Sequence, residues 1–254
     1  MRVHVVSDVH GADHALARAG DGADALVCLG DLILFVDYVD PGRGIMGSLF
    51  GAQKVGEFVR LRTAGRFDDA RAWSGSLWAT LADARAAIEE AVHEQYARMF
   101  AAFPAPTYLT FGNVDLPQLY PQFLREGITL LDGEVADVGG VRFGFVGGGL
   151  PTPMRTPFER PEVEYDAKVR ALGPVDVLCT HVPPHLPELL YDSEAGRFER
   201  GSVAVLEHVQ QHQPAWSLFG HVHQAHTRRL TVGRTVCANV GHFRSRQQPF
   251  VLEL

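Results

Sequence analysis

Several things are scarce in this chain, and each shortage removes a class of explanation. Cysteine is the first: there are three in 254 residues, Cys28, Cys179 and Cys237. An odd, sparse set builds no disulfide framework, and each sits in an apolar run where a thiol packs as a small hydrophobe. That usage predicts a reducing, cytoplasmic setting. Lysine is nearly missing, confined to Lys54 and Lys168, and the reliance on arginine reads as coding bias. Positive charge as a whole is in deficit, with a formal net charge of −7. Proteins that grip nucleic acid through its phosphates carry a basic face, so the balance counts against a nucleic-acid partner. No uninterrupted apolar run is long enough to span a bilayer, so no membrane association is expected. The first such run, Val3–Val6, is also too short for a signal peptide and is soon closed by Asp8. There is no internal repeat. The remaining composition, 46% hydrophobic and 21% charged, is that of a globular chain able to bury a sizeable core.

What is present is a series of apolar, β-branched runs that each end in polar residues. Val3 to Ser7 leads into Asp8-Val9-His10, and Ala25 to Leu29 into Gly30-Asp31. Thr107 to Phe111 leads into Gly112-Asn113-Val114-Asp115, Val175 to Thr180 into His181, and Ala215 to Phe219 into Gly220-His221-Val222-His223. Continuous apolar strands are expected where both faces of a sheet are covered, and sites in open α/β sheets form beyond the carboxyl ends of the strands. Ala12 to Ala19 reads as a short helix. Between Ile128 and Val146, Asp132-Gly133 and Gly139-Gly140 read as hairpin turns. Thr227 to Val240 repeats that style around Gly233, and Phe250 to Leu254 adds a last strand. The prediction is a partly parallel core with antiparallel additions.

One domain, 1–254, is expected, with a largely helical insertion at about 35–103. Within it, Ser76 to Phe103 reads as a single long helix, capped by Ser74 or Ser76 and followed by Pro104. Leu77, Leu81, Ala84, Ile88, Ala91, Gln95 and Met99 fall near one face, with Gln95 as a polar interruption. The glycine-rich run from Pro41 to Gly51 reads as loop. The insertion either packs on the core or forms a cap that shapes a substrate pocket or a homodimer contact.

Asp, His and Asn are donors to divalent metals. Asp31 is the natural bridge, since a shared carboxylate holds two ions roughly 3.5–4 Å apart. Asp8 and His10, two apart in an extended segment, can turn to one ion. His221 and His223 can each reach a different ion from one loop. Asn113 offers an amide oxygen and His181 an imidazole. A hydroxide held between two ions would be the nucleophile, because metal binding lowers the pKa of water to about 7.

The ordered set Asp8-x-His10, Gly30-Asp31, Gly112-Asn113-x-Asp115, His181 and Gly220-His221-x-His223 resembles the calcineurin-like metallophosphoesterase superfamily. The likeness runs from residue 1 to about 241 and closes on Asn239-Val240-Gly241, similar to the family's Asn-Pro-Gly turn. It implies an α/β fold, a four-layer α/β/β/α sandwich with two mixed sheets. It implies that Asp8, His10, Asp31 and His223 hold one divalent ion and that Asp31, Asn113, His181 and His221 hold a second. Manganese leads the candidates, with iron, zinc or nickel as alternatives. The implied partner is a small phosphorylated substrate, with Asp31, Asn113 and His181 positioning the metals and the hydroxide.

One position departs from the pattern. Most phosphatases of the superfamily carry a His between the Asn and the acidic residue of the third motif, where it protonates the leaving group; here it is Val114. Together with Thr180-His181-Val182-Pro183-Pro184-His185, this resembles the bacterial phosphodiesterase (Icc-like) branch. The expected activity is therefore a phosphodiesterase. The alternatives are a phosphomonoesterase or nuclease on the same core, or a non-catalytic metal-binding scaffold. His185 and His242 are candidates for the missing acid, and Asp115 is expected to orient a loop or a ligand. Gly147 to Arg155 follows a strand and offers Arg155 as a phosphate contact, with His185 as a second substrate contact. Arg244 and Arg246 read as solvated.

Overall fold

Apolar residues on both sides of a strand demand cover on both faces, and strands β1 (Arg2–Val6) and β2 (Ala25–Cys28), buried almost throughout, receive it. In the computed structural model, which describes residues 1–152 and 155–254, they form the middle of a five-stranded sheet. Its order is β13–β1–β2–β3–β4, with β3 at Thr107–Leu109, β4 at Ile128–Leu130 and β13 at Phe250–Glu253. β1 to β4 run parallel, and β13 closes the edge antiparallel to β1. A second, six-stranded sheet has the order β11–β12–β10–β7–β6–β5. Its strands are β5 (Glu134–Val138), β6 (Val141–Val146), β7 (Val177–Thr180), β10 (Trp216–Phe219), β11 (Arg229–Val232) and β12 (Thr235–Asn239). The inner four are parallel and the two edges antiparallel, so both sheets are mixed. β8 (Tyr191–Asp192) and β9 (Arg197–Phe198) form a separate small ribbon.

The two-residue period of a strand decides which side chains meet. Val3, Val5, Val27 and Leu29 of the first sheet pack with Phe143, Phe145, Val177, Leu218 and Val240 between the sheets. The alternate residues Val146, Leu178, Phe219 and Cys237 pack with Tyr165 and Val169 of α6 (Glu162–Ala171) and Val205 and Val209 of α8 (Val203–His212). Each fully buried large apolar side chain contributes about 1.5–3 kcal/mol. On the far side of the first sheet, His4 Nδ1–H donates to Ala19 O at 2.7 Å, just after the short helix α1 (Asp13–Leu16). Layers of helix, sheet, sheet and helix result, the α/β/β/α sandwich expected from the resemblance. The cysteines are free and buried. Among the described residues no helix is long and apolar enough to cross a membrane.

The chain divides into two compact units, Met1–Leu32 with Met99–Leu254, and Ile33–Arg98. The second contains α2 (Gly44–Phe50), α3 (Ala52–Thr63), α4 (Phe67–Trp78) and the start of α5 (Ala84–Ala102). Met46, Phe50, Val55 and Leu77 form its own apolar cluster, with Trp78 set edge-on to Phe50 at 4.8 Å.

Three local expectations are corrected. The single helix Ser76–Phe103 is two helices: α4 ends at Trp78, and α5 starts anew behind Asp83, whose carboxylate accepts from Ala86 N at 3.0 Å. Asp83 is therefore the cap. Ser74 instead accepts from Trp78 Nε1, and Ser76 donates to Trp73 O. The run read as loop contains α2. Its Gly47 is needed for packing, because a Cβ there would stand 2.4 Å from the Gly42 carbonyl carbon. Finally, Asp132-Gly133 makes no hairpin. Leu131 N donates to Leu109 O in the first sheet, and Gly133 N donates to Phe145 O in the second, so the chain changes sheets at Asp132. The Asp132 carboxylate is held by Arg160 at 2.6 Å and Lys168 at 2.5 Å. A turn signal reports a reversal of the chain and leaves the partner of the next strand open. Gly139-Gly140 and Gly233 do join paired strands.

Candidate metal centre

Each polar cluster begins within four residues of a strand end: Asp8 after β1, Asp31 after β2, Asn113 after β3, His181 after β7 and His221 after β10. The backbone turns sharply there. Asp8 (φ 55°), His10 (φ 40°), Asp31 (φ 56°) and His221 (φ 69°) adopt left-handed conformations that side chains other than glycine avoid. Such residues cost about 1–3 kcal/mol each and persist where surrounding contacts over-determine them. Those contacts are present. Asp8 N donates to Gly30 O (3.0 Å), His10 N to Asp31 O (2.9 Å) and Gly11 N to Leu32 O (2.9 Å), which laces the first two loops together. Glycine fits the close approaches: a Cβ on Gly112 would lie 1.9 Å from Asp31 Oδ1, and one on Gly220 would lie 1.9 Å from Ser7 Oγ.

Asp115 is the buried anchor beneath the second and third loops. It accepts from Asp31 N (2.7 Å), Leu32 N (2.9 Å) and Gly112 N (2.9 Å). Burial and the nearby Asp31 carboxylate push its pKa up to about 6, against the pull of these amides and of Tyr120. Its role is to orient a loop, as expected.

Two groups of donors meet around Asp31. On one side, His181 Nε2 lies 3.0 Å from Asn113 Oδ1 and 3.4 Å from Asp31 Oδ2, and His221 Nδ1 lies 2.9 Å from Asn113 Oδ1. The orientations are fixed from behind. Leu29 O accepts from His181 Nδ1 at 3.0 Å, leaving Nε2 toward the group. Asn113 Nδ2 donates to Thr156 Oγ1 at 3.1 Å, which turns its Oδ1 inward. Thr156 is itself held by Glu159. On the other side, Asp8, His10, Asp31 and His223 each place a ligand atom within 4.8 Å of the others, and this group could hold a metal ion. His223 Nε2 is 3.4 Å from Asp8 Oδ1 and 3.3 Å from His10 Nε2. The loop bearing His221 and His223 is tied down by Asn239, whose Nδ2 donates to Val222 O while its Oδ1 accepts from Gly241 N.

The electrostatics fit a cation. Asp8 and Asp31 are buried, and among the described residues their ion-pair partners are imidazoles only. Burial opposes ionisation of both, yet His223 holds Asp8 well below the ordinary carboxylate range, and His181 holds Asp31 down to about 2. Burial would lower His181, but Asp31 outweighs it and lifts the imidazole to about 9. Burial and the neighbouring His181 push His221 down to about 4. Buried anions of this kind demand positive charge, and mixed oxygen and imidazole donors suit a divalent transition metal.

The other candidates are placed as follows. His242 lies in the cluster, stacked on His223 with ring centroids 4.3 Å apart. His185 is exposed, its N–H donating to Ser202 O. Arg155 is exposed, its N–H donating to Thr152 O, and Pro153 and Met154 beside it lie outside the described residues. Gly149, earlier in that segment, is packed against Asn113. Arg244, expected to be solvated, donates instead to His10 O. Sequence reasoning missed Thr156 and Glu159. A Thr-x-x-Glu spacing in a loop is a weak signal on its own, and only the fold brings it behind Asn113.

A family model described as calcineurin-like phosphoesterase matches residues 1–225. One solved structure is similar at a TM-score of 0.60, with 17% identity over 99% of this chain and 98% of that one. Another, the protein TT1561 of Thermus thermophilus, is similar at a TM-score of 0.54, with 14% identity over 99% of this chain and 98% of that one. No curated protein matches the chain. These likenesses at low identity show the shared fold, and the family match covers most of the sequence. The chain belongs to the calcineurin-like phosphoesterase family.

Proposed function

We propose that the protein is a binuclear, metal-dependent hydrolase of phosphodiesters. Asp8, His10, Asp31 and His223 would hold one ion, and Asp31, Asn113, His181 and His221 the second, with manganese ahead of iron, zinc or nickel. When bound, two such ions lower the pKa of water to about 7 and neutralise charge on phosphoryl oxygens. The chain's own residues hold and orient. Asp115 and the loop-to-loop amides fix Asp31, the Leu29 carbonyl sets the His181 tautomer, and Thr156 sets the Asn113 amide.

The preference for activated diesters over alkyl monoesters is carried by Val114. Its N–H donates to Asp31 Oδ1 at 3.0 Å, so the backbone at this position serves the site. Its side chain has no proton to give. Aryl or otherwise activated leaving groups need none, whereas an alkoxide does. The test is a rate comparison on manganese-reloaded protein with bis(p-nitrophenyl) phosphate, p-nitrophenyl phosphate, an alkyl phosphomonoester, cyclic nucleotides and single-stranded DNA. The aryl diester should be cleaved fastest. Equal rates on the alkyl monoester would sink the diester preference. Two bound ions with no hydrolysis of any ester would favour a scaffold.

A further inference from the structure

We infer that His242 is an additional metal ligand, completing the group formed by Asp8, His10, Asp31 and His223. This rests on the binuclear site proposed above and adds a residue that lies beyond the five motifs.

The geometry has three parts. First, His10, His223 and His242 each bring one ring nitrogen within 4.8 Å of the others, so His10 and His223 belong both to this trio and to the group containing the two carboxylates. The His242 ring lies 4.3 Å from that of His223, nearly parallel at 15°, and 5.6 Å from that of His10. Second, the backbone places it there. Ser7 and His242 form a parallel bridge, Phe243 N donates to Ser7 O at 2.9 Å, and Arg244 N donates to Asp8 O at 3.1 Å. These bonds fasten residues 242–244 to the segment that carries Asp8 and His10. Third, the tautomer is set. Ser245 Oγ donates to His242 O at 3.2 Å, so it accepts from His242 Nδ1 at 3.1 Å. With the ring proton on Nδ1, Nε2 is the nitrogen whose lone pair can bind an ion. His181 is arranged in the same way, with Nδ1 donating to Leu29 O. Metal-binding histidines commonly donate the other ring N–H to such a partner, which fixes the ring and raises its basicity.

Three imidazole nitrogens brought within 4.8 Å of one another can share one cation through their lone pairs. A third imidazole also changes what the site selects. Nitrogen donors favour manganese, iron, nickel or zinc over magnesium, which prefers oxygen and water.

The experiment titrates full-length, chelator-stripped protein with Mn2+ and with Co2+, following heat of binding and the visible cobalt spectrum. Wild type should bind two ions. His242→Ala should bind one of them at least about 10-fold more weakly, leave the other unchanged and alter the cobalt spectrum. Added free imidazole should restore the spectrum. Ser245→Ala, which removes only the tautomer partner, should produce a smaller shift in the same direction, and it keeps the test intact if His242→Ala fails to fold. Two unchanged isotherms with an unchanged cobalt spectrum would overturn the role of His242 while leaving the binuclear site standing. Failure of wild type to bind two ions would instead overturn the binuclear site itself.

Discussion

The two donor groups share Asp31 and differ in how they are held. Around Asn113, His181 and His221 the support is rigid. His181 is fully buried and oriented by a backbone carbonyl, and Asn113 is oriented by the half-buried Thr156 hydroxyl, itself held by Glu159. Around Asp8, His10 and His223 the imidazoles lean on one another, and the His223 side chain is 40% exposed. The contrast separates two tasks that the proposed binuclear centre would combine. A sealed group would keep its ion and its geometry, while an open one would admit substrate and exchange its ion more readily. The two carboxylates show the same asymmetry, since Asp31 is locked by Asp115 through the backbone and Asp8 mainly receives the His221 N–H.

The largest effect should come from the residue both groups share. Asp31→Ala should lower hydrolysis of the aryl diester by about 10³-fold or more and reduce bound metal at both positions. Retention of two ions would remove Asp31 as the bridge. A smaller and one-sided effect should follow from Thr156→Val, which takes away the acceptor of Asn113 Nδ2 and frees the amide to turn. Affinity for the ion of the sealed group should fall about 10–100-fold, with the open group untouched. Equal weakening of both ions in a two-site titration would break the contrast. The smallest effect lies outside both groups. Burial, followed by the nearby His212, pushes His208 on α8 down to about 4 from an ordinary value of 6.5. The unfolded chain therefore binds a proton that the folded one refuses between those values, and stability falls as pH drops through that window. His208→Gln should flatten the fall in urea midpoint between pH 7 and 5 without changing metal occupancy at pH 7. An unaltered slope would show that the acid sensitivity resides elsewhere, with His221 the next group to examine.

Much of this arrangement was legible in the sequence because the signal was local. A β-branched run ending in a metal-type donor states both the strand and where its polar residue emerges, and β1, β2, β7 and β10 fell where expected. Most of the differences have a common cause in contacts distant along the chain. Asp132-Gly133 looks like a hairpin, but Arg160 and Lys168 hold it at the crossing between two sheets. Gln95 looks like a flaw in an apolar helix face, yet it pairs with both the N–H and the C=O of Leu34 at 2.9 Å, which is why a buried amide is tolerated there. Arg244 looked solvated because nothing nearby in sequence announces His10. The division between the insertion's helices is the exception, since Asp83 three residues before Ala86 is a local capping pattern.

The lacing of the first two loops has a consequence in time. Asp8 and His221, whose N–H it accepts, are 213 residues apart, so at ordinary synthesis rates roughly 10–40 s separate the appearance of one on the ribosome from the other. Asp8 and Asp31 emerge nearly together, and the bonds from Asp8, His10 and Gly11 to the second loop need nothing made later. The open group therefore has three of its donors available early in synthesis, while the sealed group waits for β7 and β10. A growing chain would meet metal first at Asp8, His10 and Asp31, and the rigid half would close around the shared carboxylate afterwards.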